Sequence, residues 1–190
     1  MRHIIRALLV LSLLTPSLAW ADEYGDTIKA FKTAGQSGEF FQKAYGYAVF
    51  PTIGKGGIGV GFAHGKGRVY AGGKYAGDTS MNQGSIGLQL GGEAYSEIIF
   101  FEDKTAFDNF TSGKFEFGAQ AQAVAITAGA SASTSTGGGS STSVSGSRSD
   151  ATTTGGYSNG MAVFTVAKGG LMYEASISGQ KFSYKPRSAV

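Results

Sequence analysis

The chain is 190 residues long, has no cysteine, and carries 16 basic against 13 acidic residues, a formal charge of +3. The missing thiol excludes disulfides, thiolate nucleophiles, thiolate metal sites and a lipid anchor on cysteine, and so small a charge imbalance argues against binding nucleic acid by phosphate neutralisation. With 31 glycines and 3 prolines, the composition favours tight turns and close backbone contacts over a helical bundle.

The chain opens on Arg2 and Arg6, an apolar run from Ala7 to Leu14, and a small-x-small ending at Ala19, Trp20 and Ala21. This is the pattern of an export signal. The run is broken by Pro16 and is shorter than the roughly 20 apolar residues a membrane span needs. The expectation is cleavage after Ala21 and one domain over residues 22–190. That domain would work in the periplasm or at the cell envelope, or be secreted, and would not be a lipoprotein. Arg2 and Arg6 leave with the signal, so the rest of the chain is nearly balanced in charge.

From Asp22 to Ala34 the sequence opens with acids and spaces Tyr24, Ile28 and Phe31 along one face, which predicts a short amphipathic helix. Gly35 is a plausible stop, and a second helical piece begins at Gln36 or Ser37, carrying Phe40, Phe41, Ala44 and Tyr45. From Tyr47 the period shortens. Ala48, Phe50, Ile58, Val60, Phe62, Val69 and Tyr75 recur among many glycines, as in strands joined by tight turns, with further strands at Ser85–Leu90 and Ala94–Phe101. A helix is expected after Asp103, with Phe107 and Phe110 on one edge and Gly113 as its C-terminal cap. Phe115–Ile126 alternates again, with small residues on one face. Ala128–Gly156 is rich in serine, threonine, glycine and alanine; it cannot build a core and reads as a mobile loop or a long hairpin. Strand patterns return at Tyr157–Val166, Gly170–Ile177 and Lys181–Tyr184. The fold class is α+β: a mainly antiparallel twisted sheet or partly closed barrel, with an N-terminal amphipathic helical segment and one further short helix.

Gly54, Gly56 and Gly59 have the spacing of a dinucleotide fingerprint, with Asp78 placed to hold a ribose. The fingerprint needs a helix N-terminus at the pyrophosphate, and the alternation of Ile58, Val60 and Phe62 predicts a strand there. His64 is the only histidine beyond the signal and reads as a solvated turn residue. Glu93 with Glu97, or Glu102 with Asp103, are neighbouring carboxylates that could support acid–base chemistry; such neighbours also arise by chance, and Asp103 is explained as a helix cap. No enzyme, cofactor or metal is expected.

Charge is unevenly distributed. Phe40–Gly77 holds Lys43, Lys55, Lys66, Arg68 and Lys74 and no acid, whereas Glu93–Glu116 holds six acids against Lys104 and Lys114. Lys55, Lys66, Arg68 and Lys74 are interleaved with Tyr47, Phe50, Phe62, Tyr70 and Tyr75. Cations beside aromatic strands suit phosphate groups and the acyl boundary of a lipid surface, which makes these four the candidate headgroup contacts. The amphipathic face of Tyr24, Ile28 and Phe31 packs on its own domain or inserts into a membrane; as a site, it is the expected inserting face.

Five blocks then appear in order: AYGYAVFP at 44–51, GKGGIG at 54–59, GSIGLQLG at 84–91, SGKF at 112–115 and Gly118-Ala119. Together they resemble the SYLF domain, also called the Ysc-type actin-binding domain, over roughly Phe31 to Tyr184. The resemblance implies a non-enzymatic lipid-binding module, working through basic residues and an N-terminal amphipathic helix, with actin as a further partner in fungal members. An exported chain would not meet actin, so the expected partner is anionic phospholipid at an envelope surface. The alternative is a structural or protein-interaction domain of the envelope that self-associates or binds a protein partner; an enzyme acting on envelope polymers ranks last. The serine-rich tract departs from the family pattern.

Overall fold

A computed structural model describes residues 22–118, 121, 123–126, 156–168 and 177–188. In chain order these form α1 (Glu23–Thr33), α2 (Gly35–Lys43), β1 (Gly46–Ala71), β2 (Lys74–Phe101), α3 (Lys104–Thr111), β3 (Val124–Ile126), β4 (Met161–Lys168) and β5 (Lys181–Pro186). The strands run β1-β2-β4-β3 across the sheet, with β5 also on β2. All pairs are antiparallel except β3 with β4. The path has two ends, so the α+β expectation holds with an open sheet and not a barrel.

The series of short strands expected between Tyr47 and Phe101 is instead two very long ones. β1 has 26 residues and β2 has 28, paired from Ala71↔Lys74 back to Gly46↔Phe101. At about 3.3 Å per residue a straight β1 would hold its ends roughly 80 Å apart, yet the two ends touch. Gly46 lies against the backbone of Tyr70 and Ala71, and the Gly72 amide donates to the Tyr45 carbonyl at 3.1 Å. The ribbon therefore doubles over. Its bend lies at Gly57–Val60, where the register shifts and Gly57 and Gly59 take φ of 153° and 75°, values that side-chain-bearing residues rarely adopt.

Doubling makes two layers. The first (46–56 with 92–101) is extended by β4, which pairs with Ala94–Phe101. The second (60–71 with 77–85) is extended by β5, which pairs with Gly77–Asn82. Between them lies a core of Ala48, Phe50, Ile53, Ala63, Val69, Met81, Ile99, Phe101 and Phe182. On the other side of the first layer, Val49, Ile98, Phe100, Ala162 and Phe164 pack with Phe31 of α1 and Phe40 of α2. Burial on both faces explains why Ala48–Phe50, Ile98–Phe101 and Met161–Phe164 are unbroken apolar runs and not alternating ones.

α1 and α2 fall where the periodicity places them, although the break comes at Ala34 and Gly35 starts α2. α3 is capped as expected: the Asp103 carboxylate accepts from the Ala106 amide at 2.8 Å, and Gly113 has φ of 80°. Phe115–Ile126 is not one strand. Among its described residues, Glu116 bridges to Lys181 and only Val124–Ile126 is a strand. Most of the expected serine-rich loop or hairpin, the strand expected at Gly170–Ile177 apart from Ile177, and the expected export signal lie outside the described residues. No helix among the described residues is long and apolar enough to cross a membrane.

Candidate functional site

The second layer has one covered face and one largely bare face, which meets α1 and Tyr47 at Arg68 and Tyr70. Residues 61, 63, 65, 67 and 69 are buried, while Val60, Phe62, His64 and Lys66 are exposed, the alternation of a half-buried sheet. Directly opposed residues of an antiparallel pair share a face, so the register lays out this outer surface. Arg68 faces Asp78, which faces Lys185; Lys66 faces Ser80, then Ser183; His64 faces Asn82, then Lys181; Phe62 faces Gly84. The strands stand about 4.8 Å apart, so Lys66, Arg68, Lys181 and Lys185 occupy one three-stranded patch. Asp78 lies within it, and Glu116 reaches its edge through an ion pair with Lys181 at 3.7 Å. Mostly exposed, that pair is worth little in stability.

The four cations expected to act together are only partly gathered. Lys66 and Arg68 share the outer face. Lys55 belongs to the first layer, opposite Glu93, and Lys74 sits beside the Gly72–Gly73 turn. Arg68 also holds the fold together: its guanidinium lies 4.2 Å from the centre of the Tyr24 ring and 5.6 Å from that of Tyr75, a cation–π arrangement that ties α1 to the second layer. Lys181 and Lys185 were not expected at the site. Their signal was local, an alternation of cation or serine with Phe182 and Tyr184, but their placement beside Lys66 follows from pairing across about a hundred residues.

The face of α1 expected to insert is turned inward. Phe31 is fully buried, and Tyr24 and Ile28 pack against the core shared with Phe100 and Phe164. Polar bonds hold the helix there: the Glu23 carboxylate accepts from the Thr52 hydroxyl at 2.7 Å and from the Lys168 ammonium at 3.4 Å. The Thr52 bond chiefly, with Lys168 adding to it, holds Glu23 below the usual carboxylate range. Burial raises the Tyr24 phenol above its usual value. In this conformation Tyr24, Ile28 and Phe31 cover the sheet.

His64 lies on a strand and not in a turn, its Nδ1 2.9 Å from Asn82 Oδ1. The Gly54–Gly59 segment lies within β1 and turns at the bend, so no helix N-terminus follows it. The neighbouring carboxylates separate: Glu93 is exposed and Glu97 is fully buried. Glu97 Oε2 accepts from Gln180 Nε2 at 3.0 Å, and the same amide nitrogen lies 3.3 Å from the Tyr95 hydroxyl. Glu97 Oε1 and Gln180 Oε1 have no hydrogen-bond partner. Burial pushes the Glu97 carboxyl up to about 7 and raises the Tyr95 phenol. Burial beside a primary amide disfavours the charged form of this acid.

A family model described as Las17-binding protein actin regulator, Ysc84, matches residues 82–186. That span takes in most of the second strand of the ribbon, α3, and the strands that extend both layers. The chain is also 31% identical over 157 residues to beta cell expansion factor A of Aeromonas veronii, covering 82% of this chain and 51% of that protein. It thus spans about half the length of that relative. The order of blocks, the matched span and this identity place the chain in the SYLF (Ysc84) domain family.

Proposed function

We propose that the chain is a non-enzymatic module that binds anionic phospholipid headgroups at an envelope membrane surface, reaching it by export on its first 21 residues. The observation that carries this reading is the bare outer face of the second layer, where Lys66, Arg68, Lys181 and Lys185 outnumber Asp78 and the edge residue Glu116. A three-stranded patch of this kind matches a surface of many phosphates better than it matches one small anion, since its cations are spread along and across strands and do not converge. Basic residues near such a surface contribute about 1 kcal/mol each, screened by salt. Lys55 and Lys74 would then act as outlying contacts.

The test is co-sedimentation with phosphatidylcholine vesicles and with vesicles that also contain phosphatidylglycerol, at low and high salt. Binding is expected only to the anionic vesicles and is lost at high salt. Reversing Lys66, Lys181 and Lys185 together to glutamate should weaken it by at least about 100-fold, from roughly 1 kcal/mol per lost charge. Unchanged affinity of that variant would remove the outer face from the site, and loss on reversing Lys55 and Lys74 alone would move the site to the positions beside the bend and the Gly72–Gly73 turn.

A further inference from the structure

The bend between the two layers and the start of the outgoing arm carry the most exposed large apolar side chains among the described residues: Ile58 is 84% exposed, Val60 68% and Phe62 57%. Isolated exposed apolar residues are ordinary, but a run of them on one projecting element marks a contact surface. Here the backbone arranges the run. Left-handed Gly59 breaks the pleat, so residues 58, 59 and 60 are all exposed in succession, where a regular strand would turn one of them inward. The returning strand is apolar in sequence at the same level, with Leu90 in register with Ile58 and Ile86 in register with Val60.

Charge is arranged around this run in a definite order. Moving away from the bend, the first ionisable residue on the incoming arm is Lys55, with Glu93 opposite; on the outgoing arm they are His64 and Lys66, opposite Asn82 and Ser80. Phe62 and Lys66 lie on the same face, four residues or about 13 Å apart along the strand. A lysine stem can span part of that distance and keep its ammonium at a wet, anionic level, which sets the apolar bend below the phosphates. The depth this implies is that of interfacial elements, roughly 5–10 Å.

We infer that the Ile58–Phe62 bend is the element that enters the bilayer, inserting its apolar side chains beneath the headgroups while Lys55 and Lys66 stay at the phosphate level. This rests on the lipid reading above and replaces α1, whose apolar face is occupied by the sheet, as the inserting element. A second copy of the chain is the poorer occupant. A symmetric contact would bring each copy's Lys55 and Lys66 towards those of its mate, and three side chains fall well short of the roughly 800 Å² per partner of a standard interface.

The absence of cysteine allows a single environment-sensitive fluorophore to be placed by Val60→Cys, with Gln42→Cys on the exposed side of α2 as the comparison. With phosphatidylcholine–phosphatidylglycerol vesicles, the label at 60 should shift to the blue and be quenched by nitroxide lipids, while the label at 42 stays wet. Protein that co-sediments with a wet label at 60 would overturn the insertion and leave the lipid reading standing. No co-sedimentation at all would overturn both. Burial of the label that follows protein concentration without vesicles would assign the bend to a second copy and also overturn the proposal. In the unlabelled chain, Ile58→Ser, Val60→Ser and Phe62→Ser together should weaken vesicle binding on the order of 100-fold with an unchanged circular dichroism spectrum; unchanged affinity would overturn the inference.

Discussion

The two layers of the doubled ribbon are continuous in chain and alike in glycine content, yet they differ in what covers them. The first is enclosed between the inter-layer core and the two N-terminal helices, and it holds Phe100, Phe164 and the buried acid Glu97. The second gives one face to the same core and leaves most of the other to solvent beyond Arg68 and Tyr70, which meet Tyr24 and Tyr47; there its polar and basic residues collect. One supersecondary unit thus divides its work: the enclosed layer carries the packing that stabilises the domain, and the bare layer is free to carry charge. Substitutions should therefore fall into two classes according to layer.

The largest contrast is expected between two phenylalanines. Phe100 meets the rings of Phe40, Phe41, Tyr47 and Phe164 at centroid distances of 4.9–6.1 Å. Phe100→Ala should cost about 3–5 kcal/mol in urea unfolding, whereas Phe62→Ala on the bare face should stay within about 0.5 kcal/mol. Equal losses would mean that the second layer is packed in a way its exposure conceals.

Glu97 sharpens the comparison through pH. Its carboxyl titrates near 7 in the folded chain against an ordinary value of 4.5, because burial disfavours its charge. The folded state therefore binds more protons than the unfolded one between these values, and stability falls as pH rises through the window. Below about 4.5 the acid is neutral in both states and no penalty applies; above about 7 the full penalty, about 3 kcal/mol, is present. Glu97→Gln should remove this slope and leave the variant more stable than the parent at pH 8. A variant whose unfolding free energy keeps the parent's pH dependence would assign the slope to other groups.

The smallest effect separates two glycines. A Cβ on Gly67 would lie 2.7 Å from the Phe50 ring, whereas one on Gly84 would meet nothing within 4 Å. Gly67→Ala should cost about 1–3 kcal/mol by overpacking and Gly84→Ala close to nothing, as read from thermal or urea midpoints. Similar values would show that the layers can separate to admit a methyl group.

What the sequence made legible follows from which signals are local. Helical periodicity and the Asp103 cap located α1 and α3 to within a residue or two, since both depend on neighbours within a turn. The alternation of Ile58, Val60 and Phe62 correctly excluded a nucleotide-binding helix. The number of strands was misread, because glycine serves two purposes that composition does not separate. Gly72 and Gly73 make a turn, whereas Gly46 and Gly67 sit in extended backbone and let one layer approach the other. The site divided in the same manner. Lys66 and Arg68 were legible as a pair two residues apart on one strand, but Lys181 and Lys185 join them only through a register set by Gly77–Asn82. The stripe on α1 showed that the helix covers something apolar without showing that the cover is the protein's own sheet.

The position of the Gly72–Gly73 turn bears on how so long a ribbon can assemble. Pairing that starts at Ala71 and Lys74 closes a very short loop, and each further pair adds little to the entropic cost because the strands are already side by side. Pairing begun at Gly46 and Phe101 would have to close the whole ribbon at once. A turn at the centre of the ribbon thus converts its most distant pairs into the last step of a zipper, and a ribbon that looks slow by its end-to-end separation is reached through a succession of short-range moves.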